Sequence, residues 1–155
     1  MAQSAIFLSG EILKRAKEQN IEISNMSLQK LLFIANGLYL AKNGAPLIQE
    51  PIEVWPYGPV IKSVYQEFKA YGNSAIKQIP LSYSINQQKE LDKATDDVIE
   101  FALEIAKNLN AIQLSNWTHL PESPWTEAKK NNEKEISNDL MINYFKKFVN
   151  KPISE

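Results

Sequence analysis

Cysteine is absent from this 155-residue chain, which excludes a disulfide framework, thiolate metal sites and cysteine nucleophiles. Histidine occurs once, at position 119, so neither a multi-histidine metal site nor a two-histidine mechanism can be assembled. The five glycines are scattered and form no phosphate-cradling loop, and there is no Gly-x-Ser-x-Gly elbow to expose a serine nucleophile. No cofactor is expected. An excess of either charge is also missing. Seventeen basic against 18 acidic side chains give a net charge of −1, so no global positive field draws in nucleic acid or an anionic membrane. No apolar run approaches the ~18 residues a membrane span needs. The N-terminal stretch MAQSAIFLSGEILKRAKEQ has no basic residue ahead of its short apolar segment, which Glu11 soon interrupts. This argues against a signal peptide and for a cytoplasmic protein.

What the chain does contain is helical periodicity. With 44% hydrophobic residues it is an ordinary globular sequence, and 155 residues without an internal repeat or linker form one domain. A first helix is expected from about Ala5 to Gln19, with Ile6, Leu13 and Ala16 inward and Asn20 as its stop. Ile21 and Ile23 follow as a short extended link. Ser27 is the expected N-cap of a second helix, whose apolar residues from Leu28 to Ala41 point in nearly every direction, the pattern of a central buried helix. Asn43-Gly44 ends it. Residues 46–57 lack a helical period, and the weak alternation of Ile52-Glu53-Val54-Trp55 allows a short strand or hairpin. Gly58-Pro59 is expected to open a third helix, with Val60, Val64, Tyr65 and Phe68 as its stripe and Gly72 as its end.

Residues 73–83 form a loop around Pro80. Ser84 with Gln87 offers a capping box for a helix over 86–109, on which Leu91, Ala94, Val98, Phe101, Ala102, Ile105 and Leu109 recur at three and four. Asn110 with Gln113 caps a short helix to about Thr118. Ser123 with Pro124 starts another, and Ser137 begins the last, with Leu140, Met141, Tyr144, Phe145 and Phe148 as its stripe. The fold class is therefore mainly α, a single globular domain of about seven helices with at most a short strand or hairpin near 46–57.

Chemistry is sparse. His119 is either a residue that caps or orients the Leu114–Trp125 segment or the one group on which an enzyme could be built. Asp92, Asp96 and Glu100, with their acidic neighbours on the 86–109 helix, form either a solvated face or a surface that steers a basic partner. Lys129, Lys130, Lys134, Lys146 and Lys147 are interrupted by Glu133, Glu135 and Asp139, which argues against a nucleic-acid stripe. Tyr65, Phe68, Phe101 and Phe145 sit at core spacing. Trp55 and Tyr57 differ, because they lie in the proline-locked corner Trp55-Pro56-Tyr57-Gly58-Pro59, where rigid aromatics either plug the structure or anchor a partner.

Three separated motifs in collinear order resemble the Panacea-domain family of SocA-like antitoxins and GepA-like prophage proteins. They are Leu28-Gln29-Lys30-Leu31-Leu32; Pro51 to Val60 followed by Tyr65, Phe68, Tyr71 and Gly72; and Leu114-Ser115, Thr118-His119, Pro124-Trp125 and Ala128 with Ile136-Ser137, Met141 and Tyr144-Phe145. The resemblance covers about residues 5–148. Pro56 departs from it, since relatives more often carry a basic or polar residue there. A non-enzymatic antitoxin is what the resemblance implies, one that neutralises a cognate protein toxin by direct binding or, alternatively, delivers that toxin to a bacterial ATP-dependent protease. Neither nucleic acid nor membrane is an expected partner. The residues put forward for partner contact are Trp55, Tyr57, Gly58, Pro59, His119, Trp125, Asp92, Asp96 and Glu100.

Overall fold

The computed structural model describes residues 2–81, 83 and 91–149. Its described elements are helix α1 (Ala5–Glu18), α2 (Asn25–Asn43), the strands β1 (Glu53–Trp55) and β2 (Gly58–Val60), α3 (Lys62–Phe68) with a 3-10 turn at Lys69–Tyr71, α4 (Lys93–Asn108), α5 (Ala111–Thr118), α6 (Pro124–Lys130) and α7 (Asn138–Val149). Seven α-helices and one antiparallel hairpin thus account for the regular structure among the described residues, a mainly α fold. No described helix is long and apolar enough to cross a membrane.

Helix α2 is the axis of the molecule. Every residue from Ser27 to Leu40 is buried, as expected of a helix with apolar side chains on all sides. Helices α7, α4 and α5, strand β2, and helices α3 and α1 all pack on it. At Gly37 the contact with α7 is so close that a Cβ would collide with the Phe145 ring. Gly44 ends α2 in the left-handed conformation at φ +73°, its N–H bonded to the Leu40 carbonyl, the αL cap that glycine adopts without strain.

Several boundaries follow local chemistry. Asn110 and Gln113 exchange backbone and side-chain hydrogen bonds of 2.9 Å in a complete capping box. Ser123 caps α6 with Pro124 in its first turn, and the Ser137 hydroxyl accepts from Leu140 N at the start of α7.

Others differ from the sequence expectation. Helix α2 starts earlier, capped by Ser24, whose side chain accepts from Ser27 N at 3.2 Å; Ser27 itself lies within the helix. Gly58-Pro59 does not open a helix. It belongs to β2, which pairs with β1 in the register Glu53↔Val60, Val54↔Pro59 and Trp55↔Gly58, so the hairpin runs past residue 57 and α3 waits until Lys62. The Ser84–Gln87 capping box falls outside the described residues. The described helix α4 begins at Lys93, with Asp92 as its N-cap. On α4 the buried residues are Thr95, Val98, Ile99, Ala102 and Leu103, a stripe rotated from the expected one, and Phe101 is 49% exposed. Tyr65 is half-buried rather than core, while Phe68 and Phe145 are buried.

Leu32, fully enclosed in the core, is expected to cost about 2–5 kcal/mol on substitution by alanine, through the cavity it leaves. Phe101→Ala is expected to cost less than about 1.5 kcal/mol because half of that side chain already faces water. Urea unfolding of the two variants measures both, and a reversed order would refute the observed rotation of α4.

Candidate functional site

The turn Pro56-Tyr57 joins β1 to β2 and projects the Tyr57 side chain into solvent at 73% exposure. Beside it Trp55 is half-buried. Its ring lies 5.0 Å from that of Tyr65, and its indole N–H donates to Glu53 Oε1 at 2.8 Å. The corner is held from beneath. Lys30 Nζ donates to the Tyr57 carbonyl at 2.9 Å, and Trp125 Nε1 donates to the Trp55 carbonyl at 2.9 Å. Gln29 Oε1 accepts the Ile61 N–H at 2.8 Å where the chain leaves β2. The outer edge of β1 is closed by the 134–136 segment, through Val54 N to the Lys134 carbonyl and Ile136 N to the Ile52 carbonyl.

Gly58 is favoured by its backbone conformation and by its close surroundings. Its φ is +127°, and a Cβ there would come within 3.0 Å of Lys30 Nζ and 3.5 Å of His119 Cε1. The backbone therefore passes directly over both side chains. Pro59, next to it, is buried. His119 occupies the C-cap of α5. Its Nδ1 lies 2.6 Å from the Ser115 carbonyl, and because a carbonyl only accepts, that nitrogen carries the proton. The imidazole ring packs on Trp125 with 4.0 Å between centroids, and Trp125 is buried. His119 accordingly orients the α5–α6 junction. Among the described residues no carboxylate hydrogen-bonds to it, and no group of three or more His, Asp or Glu is placed to hold a metal ion.

Lys30 is the residue the sequence reading passed over. Only 2% of it is exposed, it carries one hydrogen bond, to Tyr57, and no carboxylate among the described residues pairs with it. Burial lowers its pKa from 10.5 to about 8, since desolvation penalises the charged ammonium. A signal was available: on a helix apolar all round, any polar residue is forced inside, which singles out Gln29, Lys30 and Asn36. Lys30, Trp55, Tyr57, Val60 and Tyr65 wall a cavity of about 330 Å³, with Lys69 at its margin. A larger cleft of about 550 Å³, between residues 22–27 and 106–114, touches none of the corner residues.

The acidic residues lie apart from this corner. Asp92 caps α4, its carboxylate accepting from Thr95 N at 2.9 Å; hydrogen bonding from Thr95 keeps its pKa below the usual carboxylate value. Asp96 and Glu100 reach across to Arg15 of α1, at 2.7 and 2.6 Å, and Glu11 completes the set at 2.9 Å. Burial opposes the Arg15 charge, but the three carboxylates outweigh it and raise its pKa. Tyr83 donates to Glu11 at 2.7 Å, and its own pKa is pushed up to about 12 by burial and by that bond. In this arrangement Asp96 and Glu100 tie α4 to α1.

In the folded protein Lys30 gives up its proton near pH 8, and in the unfolded chain near 10.5. Between these values the unfolded state binds the extra proton, so this group makes stability rise with pH across that window. Lys30→Met keeps the unbranched stem as far as Cε and removes the buried charge, and it is expected to be more stable than the parent at pH 7 by about 1–3 kcal/mol. That gap is expected to narrow from pH 8 to 10.5. Chemical denaturation at stepped pH tests this, and parallel stability curves for the two proteins would show that Lys30 keeps an ordinary proton affinity.

Residues 28–126 match the family model described as "Antitoxin SocA-like, Panacea domain". That stretch contains Gln29, Lys30, the whole hairpin, His119 and Trp125, every side chain that builds the corner. Antitoxin SocA of Caulobacter vibrioides (strain NA1000 / CB15N) is 37% identical over 120 residues, which cover 74% of this chain and 64% of that protein. The chain thus spans less than two thirds of the length of this curated relative. No solved structure gives a significant match. A family model covering more than half of the chain makes the protein a member of the SocA-like, Panacea-domain antitoxin family.

Proposed function

We propose that this protein is a non-enzymatic antitoxin that neutralises a cognate protein toxin by direct binding at the hairpin corner. One observation carries the reading: Tyr57 stands 73% exposed on a turn whose backbone is fixed by buried side chains of α2 and α6. An aromatic held in place before the encounter loses little conformational entropy on binding, so contact area converts efficiently into affinity. Tyrosine and tryptophan are the side chains that most often dominate interface energies. Trp55 contributes one wall of the adjoining cavity, while Gly58, Pro59, His119 and Trp125 hold the corner rather than cover it. Asp92, Asp96 and Glu100 would act only as a distant negative surface for a basic toxin, an effect that rising salt would screen.

Delivery of the bound toxin to an ATP-dependent protease is the second reading. It draws on an apolar hollow that shares no residue with the corner cavity and includes the exposed rings of Phe101 and Phe148, with Trp117 and Ile105. An adaptor requires two separate contact faces.

The test uses the product of the neighbouring reading frame, co-expressed and then purified as the toxin. Tyr57→Ala is expected to weaken its binding by about 1–4 kcal/mol with an unchanged melting temperature, since only the Tyr57 carbonyl is used within the fold. Trp55→Ala is expected to lower both binding and melting temperature, because its ring packs on Tyr65. Unaltered binding by both variants would refute the corner as the interface. Toxin that disappears faster in the presence of this protein, only in protease-positive cells, would establish the adaptor reading.

A further inference from the structure

We infer that the cavity beside the hairpin is a receptor for one acidic side chain of the partner protein, an Asp or Glu whose carboxylate reaches Lys30. This inference rests on the corner being the partner-binding site. The chamber is walled by Trp55, Val60 and Tyr65, and its one buried charge is the Lys30 ammonium. Of that group's three N–H donors, one is taken by the Tyr57 carbonyl at 2.9 Å, and no anion among the described residues neutralises it. A buried cation without a counter-ion is costly, and an incoming carboxylate would offset part of that cost against its own desolvation.

Arg15 supplies the contrast within the same chain. It is also largely enclosed, yet three carboxylates of its own protein surround it. Lys30 has none among the described residues and lies next to the most exposed tyrosine side chain of the corner. The rim adds Lys69, so the complementary charge is negative.

The walls also select an acidic side chain over a chain terminus. A terminus brings peptide N–H and C=O groups that need partners inside the cavity. Two of the three side-chain amides that line it are already committed, Gln29 to Ile61 N and to Asn25, and Asn25 to the Tyr65 carbonyl, which leaves the exposed Asn73 alone to serve a terminus. An Asp or Glu side chain brings only a short apolar stem and a carboxylate, which match aromatic walls around one ammonium.

The experiment measures affinity of the purified toxin for the parent protein and for Lys30→Met, and repeats both with each toxin Asp and Glu changed singly to Asn or Gln. A version of the toxin with an amidated C-terminus is the control arm. Lys30→Met is expected to melt no lower than the parent and to bind at least about ten-fold more weakly. One acidic substitution in the toxin is expected to cause the same loss against the parent and none against Lys30→Met. Unchanged affinity of Lys30→Met overturns the inference, as does a loss that tracks a lowered melting temperature, or coupling to the amidated terminus instead of a side chain. If Tyr57→Ala weakens binding while Lys30→Met does not, the corner stands and the carboxylate receptor alone fails. If neither variant weakens it, both fall.

Discussion

Helix α2 is enclosed on every side, so each polar side chain it carries must find its partner inside the protein. Three of them find a partner in the non-helical segment 47–61. Asn36 Oδ1 accepts from Leu47 N at 2.9 Å and Ile48 N at 3.2 Å, Lys30 holds the Tyr57 carbonyl, and Gln29 takes the Ile61 N–H. The dependence is mutual. A connecting segment packed against a core must satisfy its own backbone groups, and a three-residue hairpin leaves many of them unpaired. The helix thus fixes the path of residues 47–61, and that path fixes the corner.

Rigidity at the corner is a consequence of this arrangement rather than of proline alone. Pro56 stiffens the turn, but it is exposed and makes no hydrogen bond of its own through nitrogen. The Trp125 indole reaches the Trp55 carbonyl from the far side, and the 134–136 segment closes the strand edge. An open edge there would invite nonspecific pairing with other chains. With the edge closed, the features left facing outward are side chains: Tyr57, part of Trp55, and the mouth of the cavity next to them.

Charge is distributed with the same asymmetry. On one side of the fold Arg15, Glu11, Asp96 and Glu100 form a network that joins α1 to α4 and, with three carboxylates on one guanidinium, stays net negative. On the other, Lys30 is buried with no anion beside it among the described residues. Perturbed ionisable groups concentrate where proteins act on other molecules. Geometry gives the perturbation its meaning here, since the lysine lies beneath the exposed turn.

Much of this was legible in the sequence because it depends on local chemistry. Asn110-x-x-Gln113, Ser123-Pro124 and Asn43-Gly44 act through hydrogen bonds and dihedral preferences within a few residues, and they mark helix ends wherever they occur. The central burial of residues 28–40 was legible from apolar side chains at every helical angle, and the aromatic corner from its proline and glycine spacing. What tertiary structure decided is which surface each marginal residue met. Glycine followed by proline suits the first turn of a helix or the start of a strand equally well, and the close passage of Gly58 over Lys30 and His119 favoured the strand. Phe101 fits an apolar stripe by spacing, yet α4 buries Val98, Ile99, Ala102 and Leu103 against the core, a face that leaves the ring half outside. Lys30 reads as a helix residue like any other. Its isolation from every carboxylate among the described residues depends on distances across the fold, and those exist only after the chain has closed.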